Sequence, residues 1–155
     1  MSSLEIIIGN HQEAVDIPLA WLTALEDIGD SAAQMAAGFA AHEENSLIHL
    51  ATLEVALVDD DTSARVHMDF MEIPGPTDVI TFHHGEIVIG VEVALRQAEE
   101  YDEPFGREIL RYFVHGLLHL AGHEDAEEAG RKAMEAAQEE IVAKLWAAGL
   151  DGKLG

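Results

Sequence analysis

The segment His115-Gly116-Leu117-Leu118-His119-Leu120-Ala121-Gly122-His123-Glu124-Asp125 concentrates the residue types that can do chemistry. His115 and His119 are four residues apart, a spacing that puts two side chains on one face of a helix. Gly122 follows and can end that helix in the left-handed conformation that costs little only for glycine. The chain then folds back with His123, Glu124 and Asp125, each able to bind a metal. Two helical histidines and a third ligand leave coordination positions open, as catalytic metal sites do more often than structural ones.

Helix, glycine turn and third ligand is also the layout of the long zinc-protease signature H-E-x-x-H-x-x-G-x-x-H. The glutamate that acts as general base there is Gly116 here, which argues against peptide hydrolysis by that route. Glycine inside a helix costs roughly 1 kcal/mol relative to alanine, so its presence points to close approach by a backbone or a substrate. Asp125 has the spacing of the third ligand and an oxygen donor. His123 is the better zinc ligand by type but follows the glycine directly. Glu124 reads either as the base for a metal-bound water or as a solvated acid before the next helix.

A helix carrying these residues needs a scaffold, and the patterning predicts one. Residues 4–8 form an apolar run ended by Gly9-Asn10, consistent with a strand. Asp16-Ile17-Pro18 starts a helix, with Asp16 as cap and apolar residues at Leu19, Leu22, Leu25 and Ile28. Gly29-Asp30-Ser31 is expected to interrupt it, with an extension or restart over 35–41. Residues 49–58 read as a strand, and Asp59-Asp60-Asp61-Thr62 as its end and the cap of a short helix over 63–71. Ile73-Pro74-Gly75-Pro76 must turn. Strands are expected over 77–82 and 86–91, broken by His83-His84-Gly85. Helices follow over 92–101, from Glu103-Pro104 through Leu120, and over 127–148. Helices mixed with about four strands give an α/β or α+β class in one domain, 1–155.

The chain has 155 residues, 8 Lys+Arg against 30 Asp+Glu, and a formal net charge of -22. Such a surface is soluble and repels polyanions at long range, which taken alone argues against a nucleic-acid partner. A local basic patch would have to come from Arg65, Arg96, Arg107 and Arg111. With no cysteine, disulfides and thiolate ligands are excluded, in keeping with a reducing, cytoplasmic setting. No stretch approaches the roughly 20 apolar residues of a membrane span, and no secretory signal is visible at the N-terminus.

Three motifs stand in order: P-T-D-V-I-T-F over Pro76 to Phe82, G-E-I-V-I over Gly85 to Ile89, and V-H-G-L-L-H-L-A-G over Val114 to Gly122. On these, the sequence resembles the YbeY-type metal-dependent endoribonucleases of ribosomal RNA maturation, over residues 50–145. The resemblance implies a compact fold with a central mixed sheet flanked by helices, and a single metal, commonly zinc, held by three histidines at a helix end. His115 and His119 match the first two. The family's Gly-Tyr-Asp-His ending reads Gly122-His123-Glu124-Asp125 here, so Asp125 stands at the third histidine position. A family Tyr-Arg pair aligns with Phe70 and Met71, and a nearby asparagine with His67. The arginine expected to help hold phosphate is therefore missing, and Arg65, Arg107 and Arg111 are the candidates to replace it.

The implied activity is single-strand-specific endoribonuclease action in 16S rRNA maturation and ribosome quality control, with the small ribosomal subunit as partner. The expected chemistry is metal-assisted phosphodiester hydrolysis, in which the metal activates water and polarises a phosphoryl oxygen. Glu124 is expected as base and Arg65 as the catalytic arginine, with Thr81, His84 and Arg111 towards substrate. Thr77 and Asp78 are read as fixing their loop against the site. Two other readings remain. A hydrolase of another substrate predicts a pocket without basic lining. A non-catalytic, metal-stabilised ribosome-associated module predicts a closed four-ligand site using both His123 and Asp125.

Overall fold

β-Branched and leucine-rich runs build the sheet. In a computed structural model, which describes residues 4–155, the strands are β1 Glu5–Asn10, β2 Thr52–Val58, β3 Val79–Phe82 and β4 Glu86–Gly90. They lie in the order β1-β2-β4-β3. β1 and β2 pair in parallel, as do β2 and β4, while β3 runs antiparallel to β4 through the His83-His84-Gly85 turn. The class is α+β with a four-stranded mixed sheet. β3 is an edge strand, and the site is built against it.

Among the described residues, six helices accompany the sheet: α1 Leu19–Gly38, α2 Asp60–Met71, α3 Val91–Glu100, α4 Phe105–Leu120, α5 Glu128–Leu145 and α6 Asp151–Leu154. A 3-10 turn over Leu47–His49 precedes β2, and a π-helical turn over Trp146–Leu150 joins α5 to α6. The main core gathers Leu53, Val55, Leu57, Ile87 and Ile89 of the sheet with Leu25, Ile109, Phe113, Leu117 and Ile141 of the helices. A smaller cluster of Val58, Ile80 and Val88, with Val66 and Phe82 against it, lies beside α2. Among the described residues no helix is long and apolar enough to cross a membrane.

Three local expectations are corrected. Gly29-Asp30-Ser31 does not interrupt α1, which runs through it. A Cβ on Gly29 would fall 2.5 Å from Ile6 Cδ1, so the glycine lets α1 lie close to β1. Asp30 Oδ1 accepts the Leu4 amide at 3.0 Å. Asp16 does not cap α1, where Pro18 occupies the N-cap position without a side-chain bond. Asp59 does cap α2, accepting the Thr62 amide at 2.9 Å, and that helix begins at Asp60, ahead of the expected 63.

α4 is the central element. It packs on the sheet beneath β4 and reaches β3, α1, α3 and α5. Its apolar face is continuous because Ile109, Leu110, Phe113, Val114, Leu117, Leu118 and Leu120 are all buried. Gly116 is on that face. A Cβ there would fall 2.7 Å from Ile87 Cδ1 of β4, so the close approach foreseen at this glycine is by the sheet and not by a substrate.

Candidate metal centre

α4 ends as its sequence dictates. Ala121 is the C-cap and Gly122 follows at φ 98°. The His123 amide bonds the Leu118 carbonyl at 3.0 Å and the Gly122 amide bonds the His119 carbonyl at 3.0 Å, the paired bonds of a Schellman ending. This turn sends the chain back past the helix face that carries the two histidines. Asp125 Oδ2 comes to 3.6 Å from Nε2 of both His115 and His119. The three donor atoms lie within 4.8 Å of one another.

The donors are held ready for a cation. His119 Nδ1 is 3.0 Å from the His123 carbonyl oxygen, an acceptor only, so Nδ1 donates and Nε2 keeps its lone pair towards the site. His115 Nδ1 is 2.8 Å from Gln138 Oε1, which fixes the same tautomer. Metal-binding histidines are oriented by such outer bonds. Burial lowers the His119 pKa, with the neighbouring His115 acting the same way and Asp125 opposing; both larger effects keep the ring in its metal-binding neutral form. Two imidazoles and one half-exposed carboxylate fit a divalent metal of the zinc type, with room for further ligands on the solvent side.

The Gln138 bond continues into a charged network. Gln138 Nε2 donates to Glu139 Oε2 at 3.0 Å, and Glu139 accepts from Arg111 Nε at 2.8 Å. Arg111 also pairs with Glu103 and Glu108. Burial alone would push its pKa down, but hydrogen bonds to the three glutamates raise it. Arg111 is thus consumed by carboxylates and braces α4 against α5. It does not line the cleft.

The metal group borders a cleft of about 710 Å³. Its walls come from His67, Phe70 and Met71 at the end of α2, from the run Thr77 to His83, and from Arg131, Met134 and Glu135 on α5. The loop before β3 is pinned as expected: the buried Ser63 hydroxyl takes the Thr77 amide at 2.9 Å and donates to the Thr77 carbonyl at 3.0 Å. Thr81 lines the cleft, and its hydroxyl is buried without a hydrogen-bond partner.

Other expected site residues lie elsewhere. His123 is only 8% exposed and its Nε2 is 2.6 Å from the Phe39 carbonyl. It sits outside the donor group, buried and held by the Phe39 carbonyl at the end of α1. Glu124 is exposed and borders a smaller cavity with His42 and Asn45, and it does not line the cleft. Arg65 is exposed on α2 and does not line the cleft. Helical geometry explains this, since two residues along a helix turn about 200°, and His67 is the residue that faces the site. His84 is at the hairpin tip, stacked on Phe82 and 3.4 Å from Glu86, outside the cleft lining. Arg107 lies over the Trp146 ring at 5.8 Å.

Sequence reasoning missed Arg131, Glu135 and Gln138. A signal existed: 131, 134, 135 and 138 recur at helical spacing and define one face of α5. Arg131 is the one arginine that borders the cleft, and there is no lysine. Among the described residues, arginine ion pairs are confined to Arg96 and Arg111.

The family model for endoribonuclease YbeY matches residues 8–146. The chain belongs to the endoribonuclease YbeY family. It is 32% identical over 116 residues to the endoribonuclease YbeY of Salinibacter ruber, covering 64% of this chain and 72% of that relative. It is 35% identical over 111 residues to the endoribonuclease YbeY of Mycobacterium sp. (strain KMS), covering 59% of this chain and 63% of the relative. A Thermotoga maritima protein solved in solution superposes with a TM-score of 0.59 at 23% identity, covering 96% of this chain and 93% of that one; this likeness speaks for the fold. Within a YbeY-type frame, the chain has Asp125 in its donor group and Met71 at the cleft wall.

Proposed function

We propose that this chain is a metal-dependent endoribonuclease that cleaves single-stranded RNA, with zinc held by His115, His119 and Asp125. The observation that carries this reading is the three-donor group, with Asp125 half-exposed, bordering the cleft. A metal held there supplies Lewis acidity to a phosphodiester and to an attacking water. The chain's own residues do the rest. Gln138 and the His123 carbonyl hold the two imidazoles in register. Arg131 meets a phosphate oxygen, in place of the arginine absent at Met71. Glu135, a cleft carboxylate with no ion pair among the described residues, accepts the proton of the attacking water in place of Glu124. By family likeness, the finer role is 16S rRNA maturation and ribosome quality control in the cytoplasm, with the small ribosomal subunit as partner.

The alternatives fit less well. A hydrolase of non-phosphate substrates calls for a cleft without basic lining, and Arg131 lines this one. A closed structural site needs His123 beside Asp125, and His123 is bonded to Phe39. The test is zinc content together with cleavage of a single-stranded RNA by the wild type and by His119→Ala, Asp125→Ala and Glu135→Gln. The first two are expected to lose zinc and cleavage. Glu135→Gln is expected to keep zinc and lose about 100-fold in rate. Zinc-loaded wild type that cleaves no RNA sinks the reading.

A further inference from the structure

The end of α2 and the loop after it expose an apolar group that a chain this acidic has no evident reason to show to water. Met68 is 46% exposed, Phe70 67%, Met71 53% and Ile73 45%. Phe70 and Met71 also line the cleft beside the metal donors, so the group continues the site. The Phe70 ring is braced, meeting the Phe82 ring edge-on at 4.8 Å between centroids and 76° between planes. Phe82 is anchored in turn in the small cluster of Val58, Ile80 and Val88. A half-supported ring with a free face is a stacking platform, because every nucleobase presents a π-face and aromatic side chains bind it with little regard to sequence.

Charge points the same way. With a net charge of -22 and Arg131 the one arginine at the cleft, phosphate pairing can supply little of the affinity for a polyanion. Contacts to the uncharged parts of the nucleotide must supply more. We propose that Phe70 is the platform on which an unpaired base of the RNA substrate stacks, next to the phosphate presented to the metal group. The inference rests on the ribonuclease reading and names what selects single strands here: a paired base keeps both faces in its own stack and leaves none for Phe70.

The test is equilibrium binding of a short single-stranded RNA carrying 2-aminopurine, read by anisotropy and by fluorescence quenching, with chelator present so that binding is separated from cleavage, and repeated with zinc. Phe70→Ala is expected to weaken binding about tenfold and to relieve the quenching. Phe70→Trp should bind at least as tightly as wild type, whereas Phe70→Leu, which keeps an apolar side chain, should behave like Phe70→Ala. An abasic site at the stacked position should cost wild type about as much as the alanine substitution and cost Phe70→Ala nothing further, as a double-mutant cycle requires for one shared contact. Equal affinity and equal quenching in wild type and Phe70→Ala overturn the platform while leaving the ribonuclease reading intact. Failure of wild type to bind RNA with or without zinc overturns both. A wild-type dimer in sedimentation that Phe70→Ala dissociates would assign the apolar group to a second copy of this chain and overturn the platform.

Discussion

Replacing Arg131 with alanine removes the one arginine that borders the cleft and leaves α5 with a better helix former, so folding should be unaffected. Hydrogen bonds to charged groups contribute about 1.5–3 kcal/mol when sheltered, and exposed pairs about 1 kcal/mol or less. Arg131 is exposed at the cleft wall, so a loss of about 1 kcal/mol is expected, roughly fivefold in Kd for single-stranded RNA. The salt dependence is the sharper readout. Each phosphate neutralised on a single strand contributes about 0.7 to the slope of log K against log salt. Between about 50 and 200 mM salt, wild type should therefore lose about threefold more affinity than Arg131→Ala. Long-range repulsion from the acidic surface acts on both proteins alike and cancels in the comparison. Arg131→Lys should restore the slope but not the full affinity, since it keeps the charge and loses the planar fork. Binding isotherms by anisotropy at several salt concentrations measure both quantities. An unchanged slope in Arg131→Ala would place the phosphate elsewhere and refute the reasoning.

Other outcomes follow from the same geometry. Zinc at about 100 times its Kd stabilises a folded site by about 2.7 kcal/mol, or roughly 5–10 °C in melting temperature for a chain of this size. His119→Ala should abolish that shift and Glu124→Gln should leave it; a loss in the Glu124 variant would return that residue to the site. Gly116→Ala gains about 1 kcal/mol of helix propensity but drives a Cβ to 2.7 Å from Ile87 Cδ1, an overpacking that costs about 1–3 kcal/mol. Chemical denaturation should show net destabilisation, smaller when Ile87→Val is added, and a more stable Gly116→Ala would contradict the packing. Burial pushes the Glu139 carboxyl up, yet hydrogen bonds from Arg111 and Gln138 outweigh it and hold the group below its ordinary value. Such a group contributes stability above its unfolded pKa and loses it as pH falls through the lower folded value. On acidification through the carboxylate range, wild type should lose melting temperature more steeply than Glu139→Gln; parallel curves would remove the linkage.

Legibility differed between the helix that carries the ligands and the surface they face. The histidine pair and the glycine stop were readable because both are local: helical spacing and one left-handed residue determine their relative positions, whereas the choice between His123 and Asp125 as third donor was left open. The strand boundaries were close for the same reason, since alternation and turn residues act over a few positions. Gly29 misled because a glycine inside a helix looks the same in sequence whether it breaks the helix or admits a neighbouring strand; Ile6, far away in the chain, made the difference.

The His115 and His119 pair on one helix face, the end of α4 at Gly122, and the mixed order of strands and helices were determined by the sequence alone, through local backbone geometry, while Asp125 and His123 both stayed open as third donor. The tertiary structure decided which charges are free. Arg111 and Arg131 are indistinguishable as residue types, but the packing of α4 on α5 surrounds the first with Glu103, Glu108 and Glu139 and leaves the second at the cleft. It also decided that His123 is held by the Phe39 carbonyl, that Glu124 does not line the cleft and that Phe70 leans on Phe82. These outcomes depend on contacts between elements distant in sequence, where no spacing rule operates.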